Sequence, residues 1–341
     1  NNDTLEFISP ADFQGMHHEV VQTSKRNFLT LIPSMKWISN GSDSILWKGD
    51  RLIELNREGE LIWSWDCWNY LSIEDFDRVE LSRVPPGGIF DWTHTNAAFL
   101  NEKEDAIYLS IRNLSRVIKI EYPSGDIVWS MGQQMASGDV DFGYELEFYR
   151  QHAPEVLADE SILLYDNHWI TGEVGEFSRA IKIGINLDNP RSADIEWQFK
   201  HQFSRTQGDI NRLDNGNILI NTGSSFFYYE LNNKGEIVWE VEPNLNVGNY
   251  RAERITSLFP LIYTVSGPVN GSFFQTGDNE VSYKINNEGE VAQEYAYLLT
   301  DEDGFIVPKG GKVQIPPRIV TFLLFNFICT MTLGSWISFL P

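Results

Sequence analysis

One five-residue string recurs along the chain at wide intervals. It reads Gly59-Glu-Leu-Ile-Trp63, Gly125-Asp-Ile-Val-Trp129, Ala193-Asp-Ile-Glu-Trp197 and Gly235-Glu-Ile-Val-Trp239, with a weaker copy at Gly289-Glu-Val-Ala-Gln293. Such self-similarity marks a supersecondary unit that buries its apolar face only against its neighbours. Each copy reads as a turn followed by an alternating strand. Glycine supplies the positive φ, and the third and fifth residues then share one face. A second strand precedes most copies, as in Arg51-Leu-Ile-Glu-Leu, Val117-Ile-Lys-Ile-Glu and Phe227-Tyr-Tyr-Glu-Leu. Together they make a β-hairpin. The intervals between the last residues of successive copies are 66, 68, 42 and 54 residues. That spacing suits four-stranded blades with variable loops, and no helical period separates the strands. The expected fold is therefore all-β: a β-propeller of four-stranded antiparallel blades around a central channel. The repeated tryptophans are expected to pack between blades, because a large ring on a repeated strand buries much area.

The chain has 341 residues, with 42% hydrophobic and 13% aromatic content, enough apolar surface for a folded core. Its net charge is −22, so the field of the whole molecule repels nucleic acid and anionic membrane surfaces. Two cysteines, Cys67 and Cys329, exclude a disulfide framework and a multi-cysteine zinc site.

A second repeated element precedes the hairpins. From His18, from His152 and from Gly208, the apolar strand begins ten residues on, at Phe28, Ile162 and Ile218; from His94 the turn is slightly longer. Three of these four positions are thus histidine, in a chain with only six. Equivalent positions on the inner strands of a propeller converge on the central channel. The bland alternative is that each histidine caps its own hairpin; repetition argues against it. His17, His168 and His201 have no such support and read as ordinary surface or turn residues. Arg112, in Tyr108-Leu-Ser-Ile-Arg112, reads as a cation on a strand amid apolar residues, either paired or bound to an anion. Three histidines and an arginine in an acidic protein suggest a basic pocket for a small anion. A three-histidine metal site is disfavoured by the adjacent arginine and the long spacing, and no G-x-S-x-G elbow supports a serine triad.

With these residues in place, the sequence resembles the arylsulfotransferase family. The matching strings are His17-His18-Glu-Val, Asp91-Trp-Thr-His94-Thr-Asn96, Leu109-Ser-Ile-Arg112-Asn-Leu-Ser, Gln151-His152 and Leu163-Leu-Tyr-Asp-Asn167, continued by Ser178-Arg-Ala180, Gly208-Asp209 and Tyr250-Arg-Ala252. They run in order over about residues 15–260. The resemblance implies a six-bladed propeller that moves a sulfuryl group from an aryl sulfate to a phenol, with a periplasmic or otherwise extracytoplasmic location and no cofactor. It also implies roles: His152 as the nucleophile that becomes sulfohistidine, His94, Asn96 and Arg112 as groups that hold the sulfuryl oxygens and assist proton transfer, and His18 as a further active-site histidine. Ala153 departs from the family pattern, in which an aspartate often follows the nucleophile. Two other function classes stay open: a non-catalytic propeller that binds an anionic ligand or a protein, and a hydrolase in which water replaces the phenol.

Residues 1–318 are expected to form the catalytic propeller. Residues 319–341 carry an apolar run, Ile319 to Leu340, without a charge. Its length fits a membrane anchor, which would make membrane association a feature of the protein, whereas its threonines, phenylalanines and β-branched residues fit a pair of closing strands.

Overall fold

Alternating apolar and polar residues lay down antiparallel strands at the repeated hairpins, and glycines at positive φ turn them: Gly59 at 81°, Gly125 at 86° and Gly235 at 80°. The computed structural model describes residues 15–242 apart from 41–42, 174 and 189, then residues 248–254, and beyond these mainly the strands named below. Most of the described chain falls into four up-and-down sheets. The first contains β1 (His17–Gln22), β2 (Phe28–Asn40), β3 (Asp43–Leu55) and β4 (Leu61–Asp66), with the short β5 (Ile89–Asp91) joining β3 in parallel. The second runs β6 (Thr95–Asn101), β7 (Ala106–Ile111), β8 (Arg116–Glu121) and β9 (Ile127–Gly132). The third runs β10 (His152–Val156), β11 (Ile162–Asp166), β12 (Phe177–Asn186) and β13 (Ser192–Gln202). The fourth runs β14 (Asp209–Arg212), β15 (Ile218–Asn221), β16 (Tyr228–Leu231) and β17 (Ile237–Val241). The first strands of successive sheets lie side by side: β1 against β6, β6 against β10 and β10 against β14.

The repeated tryptophans pack across the gaps between these sheets. Trp63 on β4 donates its indole N–H to the carbonyl of Pro123 at 2.7 Å, in the β8–β9 turn of the next sheet. Trp65, buried, does the same to Gly125 at 3.0 Å. Trp129 packs with Ile162 and Leu164 of the third sheet, and Trp197 with Ile210 and Ile220 of the fourth. Burial of one such ring contributes on the order of 2–3 kcal/mol and ties each sheet to its neighbour. Trp239, the fourth copy, is 46% exposed.

The chain divides into two compact units, one spanning Glu6–Glu253 and one running from Arg254 onward, with Asn1–Leu5. In the second unit, β18 (Tyr263–Ser266), β20 (Gly277–Asn287) and β23 (Val320–Cys329) form a three-stranded sheet. The short β19 (Phe273–Phe274) pairs with β24 (Leu333–Gly334), and β21 (Gln293–Leu299) pairs with β22 (Lys309–Ile315). Ile285, Tyr295 and Ile315 form its small core. The first half of the apolar C-terminal run is thus strand, paired antiparallel with β20 from Val320 to Cys329. No helix among the described residues is long and apolar enough to cross a membrane. Gly289 of the weakest repeat copy and residues 335–341 lie outside the described residues.

Candidate active site

His152 opens β10, opposite Tyr165 of β11, and is 3% exposed. Its Nδ1 lies 2.6 Å from Oδ1 of Asn167. The amide nitrogen of Asn167 donates to the carbonyls of Ser204 at 2.9 Å and Gln207 at 2.8 Å, which fixes the amide with its oxygen toward His152. That oxygen can only accept, so His152 carries its proton on Nδ1 and presents the lone pair of Nε2. Burial, then the charge of Arg112, holds the His152 pKa well below the usual histidine value, against the Asn167 hydrogen bond, which raises it. The ring is neutral at physiological pH.

His18 sits in a bulge of β1, between the paired residues His17 and Val20, at φ 59°. Its ring centroid is 5.1 Å from that of His94 and 5.5 Å from that of Tyr250, and Tyr250 is 6.2 Å from His152. Partial burial, then the charges that His94 and His17 would carry, push the His18 pKa down to about 4. The ring keeps an exposed edge, and water there tempers the effect. His94 precedes β6 at φ 47° and places Nδ1 2.5 Å from Oδ2 of Asp91, whose other oxygen is 3.2 Å from the Lys48 ammonium. Burial pushes the Asp91 carboxyl up, but the hydrogen bonds from His94 and Lys48 outweigh it and hold the pKa below the usual range. Asp91 therefore orients the His94 ring.

Arg112 lies in a 3₁₀ turn, Arg112–Leu114, just past the end of β7 rather than on the strand, as the sequence suggested. It donates to Oδ1 of Asn113 at 2.8 Å, and its backbone N–H reaches the His94 carbonyl at 3.3 Å. Burial, then the neighbouring Arg150, lowers its pKa to about 10, which leaves it cationic at neutral pH. Asn96 is buried, and its amide nitrogen donates to the Gln151 carbonyl at 2.8 Å, one residue before His152. Its oxygen has no hydrogen-bond partner among the described residues. His94 and Arg112 line a cavity of about 630 Å³, shared with Phe90, Asp91, Asn113, Arg150, Trp169 and Arg205. His152 and His18 are not in its lining; His152 lies near both Arg112 and His94, and His18 against His94.

All five sequence-assigned residues therefore gather in one region, but not by the symmetry that picked them out. His152 is a paired strand residue, His18 stands in a bulge and His94 precedes its strand. By cross-strand register the partner of His152 in the first sheet is His17, opposite Leu31. Gly208 has φ 116°, and a Cβ there would lie 2.2 Å from the Tyr165 ring. Glycine is thus required at position 208, which does not mark a site open to any side chain. His17, set aside on sequence grounds, contacts His18 Nδ1 to Nδ1 at 2.7 Å and Oδ1 of Asp50 at 3.3 Å. Asn167, Asp91 and Tyr250 were present in the matching strings without a role. Their signal is long-range contact, which no local pattern carries. His168 and His201 act locally, His168 stacked on Phe177 at 4.4 Å and His201 against the Tyr165 hydroxyl at 3.1 Å.

Left-handed backbone at His18, His94, Arg150 and Ala153 adds strain that the surrounding packing must hold. Two of the four, His94 and Arg150, line the cavity, and His18 and Ala153 adjoin His94 and His152. The fold is all-β with four-stranded antiparallel sheets, and the candidate site is a buried imidazole near the Arg112 cation. The chain belongs to the arylsulfotransferase family: the model of that family, "Arylsulfotransferase (ASST)", matches residues 6–297. Comparison with curated proteins finds no match. Among solved structures, virginiamycin B lyase from Staphylococcus aureus is 10% identical, covers 92% of this chain and 94% of its own, and has a TM-score of 0.36. A protein of unknown function from Bacteroides caccae is 13% identical over 75% of this chain and 84% of its own, with a TM-score of 0.29. Both likenesses are remote.

Proposed function

We propose that the chain transfers a sulfuryl group from an aryl sulfate ester to a phenol through a sulfohistidine at His152. The observation that carries this reading is the tautomer fixed by Asn167, which leaves a neutral, buried lone pair on Nε2 of a ring close enough to Arg112 and His94 to feel their charge. Family membership supports the same chemistry. Sulfuryl transfer needs little covalent work from the protein and much positioning and charge stabilisation. The Nε2 lone pair attacks sulfur, the N–S bond forms, and the S–O bond to the aryl oxygen breaks. Arg112 balances the sulfuryl oxygens. His94, its Nδ1–H held by Asp91, has Nε2 free to protonate the departing phenolate and to take the proton of the incoming phenol. An imidazole in hydrogen-bond reach of the aryl oxygen can act as acid for departure and base for return. Asn96 serves by anchoring the Gln151 carbonyl beside His152.

The four sheets with adjacent first strands support a propeller. We assign it six blades, as the resemblance implies, and an extracytoplasmic location; the expected limit at residue 318 does not hold for the sheet that β23 joins. The reading is tested by initial rates with donor and acceptor varied together. A sulfo-enzyme that releases the first phenol before binding the second gives parallel double-reciprocal lines; intersecting lines would rule out the two-step route.

A further inference from the structure

The cavity that opens on His94 and Arg112 holds more positive charge than one sulfuryl group requires. Arg83, Arg112, Arg150 and Arg205 all line it, in a chain of net charge −22. Arg150 pairs with Asp77 at 2.5 Å, and Arg83 lies 3.7 Å from Glu80. The other lining carboxylate, Asp91, is engaged by Lys48 and His94. Two guanidinium charges remain. Arg112 donates to the neutral Asn113 side chain, and Arg205 has no carboxylate partner among the described residues. What holds Arg205 is the buried indole of Trp169, 4.3 Å from its guanidinium carbon. The same indole faces Arg112 at 5.8 Å and Arg150 at 5.2 Å. One ring thus orders three guanidiniums by its π face, without neutralising any of them.

We infer that Arg205 forms a second anion subsite in this cavity, and that the preferred donors are aryl sulfates whose ring bears a second anionic group, such as a carboxylate. The inference rests on the sulfuryl-transfer reading above, which assigns Arg112 to the sulfuryl oxygens. Arg112 and Arg205 flank a single indole, so their forks reach two substituents of one aromatic ring. Val84, Ile89 and Phe90 give that ring an apolar wall. A guanidinium held over an indole keeps its fork geometry and loses less freedom when a carboxylate docks than an unsupported one does. The global charge makes such a cluster necessary, since a dianion approaching this acidic surface is repelled until it meets local positive charge.

The test uses ligands that cannot transfer a group. Benzenesulfonate carries one anion and 4-sulfobenzoate two; both are titrated calorimetrically into the full chain and into Arg205→Gln. The readout is the ratio of the two affinities. The structure predicts a dianion preference of about tenfold, the scale of one charge-assisted hydrogen bond, that falls to about one in Arg205→Gln. A ratio near one in the unaltered chain, or a ratio kept in the variant, overturns the subsite. Because neither sulfonate is turned over, this result is independent of phenyl sulfate turnover, whose failure would count against the transfer reading alone.

Discussion

Asn167 decides what His152 can do. With its amide nitrogen committed to Ser204 and Gln207, it accepts the Nδ1 proton and leaves Nε2 unprotonated. Asn167→Ala is expected to release the tautomer and lower kcat by about 10²-fold or more, as loss of an orienting partner does in other imidazole-based sites, while KM moves less. Steady-state kinetics with phenyl sulfate checks this split. Arg112→Lys keeps the charge but not the fork; the expected loss is about 2–4 kcal/mol of transition-state stabilisation, read from kcat/KM. The depressed pKa of His152 also sets a pH dependence. An ordinary histidine half-protonates near 6.5, whereas His152 stays neutral well below that. Sulfo-enzyme formation, followed as a single-turnover burst, should therefore hold its rate as pH falls through 6.5. Stability behaves differently. Below 6.5 the unfolded chain binds a proton that the folded His152 refuses, so folding stability falls with pH from there down to the folded-state pKa. A burst that halves near pH 6.5 would mean that His152 is not the group that reacts.

At the scale of elements, the hairpins, the sheet count per repeat and the inter-sheet tryptophans were legible, because each rests on local periodicity and turn glycines. The bulges were not. A bulge adds a residue without changing composition, so the ten-residue step counted from His18 and from His152 looks equal although one stands inside a bulge and the other in register. Arg112 left its strand for the same kind of reason. Ser115 at φ 48° ends a tight 3₁₀ turn that alternation along Tyr108-Leu-Ser-Ile does not announce. The element next to the site that is most exposed to a small change is the Gly208 corner. A methyl group there meets the Tyr165 ring, the cross-strand partner of His152, on a backbone at φ 116°. Gly208→Ala is expected to cost about 1–3 kcal/mol, seen as a lowered melting temperature, and to lower kcat through the displaced Tyr165–His152 pair.

For the whole molecule, charge is the leading variable. Anionic donors approach a body of net charge −22, whose distant carboxylates are screened over about 10 Å at 0.1 M salt. The arginines of the cavity act at contact and are screened less. Added salt should therefore raise kcat/KM for phenyl sulfate between about 10 and 100 mM, by reducing long-range repulsion before it weakens the site. A steady fall over that range would show that the local cluster governs approach. The division at Glu253 was invisible in the sequence, where strand signals continue on both sides of it. The composition of the Ile319–Leu340 run left anchor and strand equally open; for Val320–Cys329, backbone pairing with β20 decides for strand.

The central claim is a covalent one, and mass resolves it most directly. The protein is mixed with phenyl sulfate without acceptor, quenched under mildly alkaline conditions that preserve an N-sulfo bond, and its intact mass and peptides are measured. The account predicts an added mass of about 80 Da on the peptide containing His152, removed on addition of a phenol and absent from His152→Ala. An unmodified protein that nevertheless passes the group to a phenol, or a label that persists in His152→Ala, would contradict it.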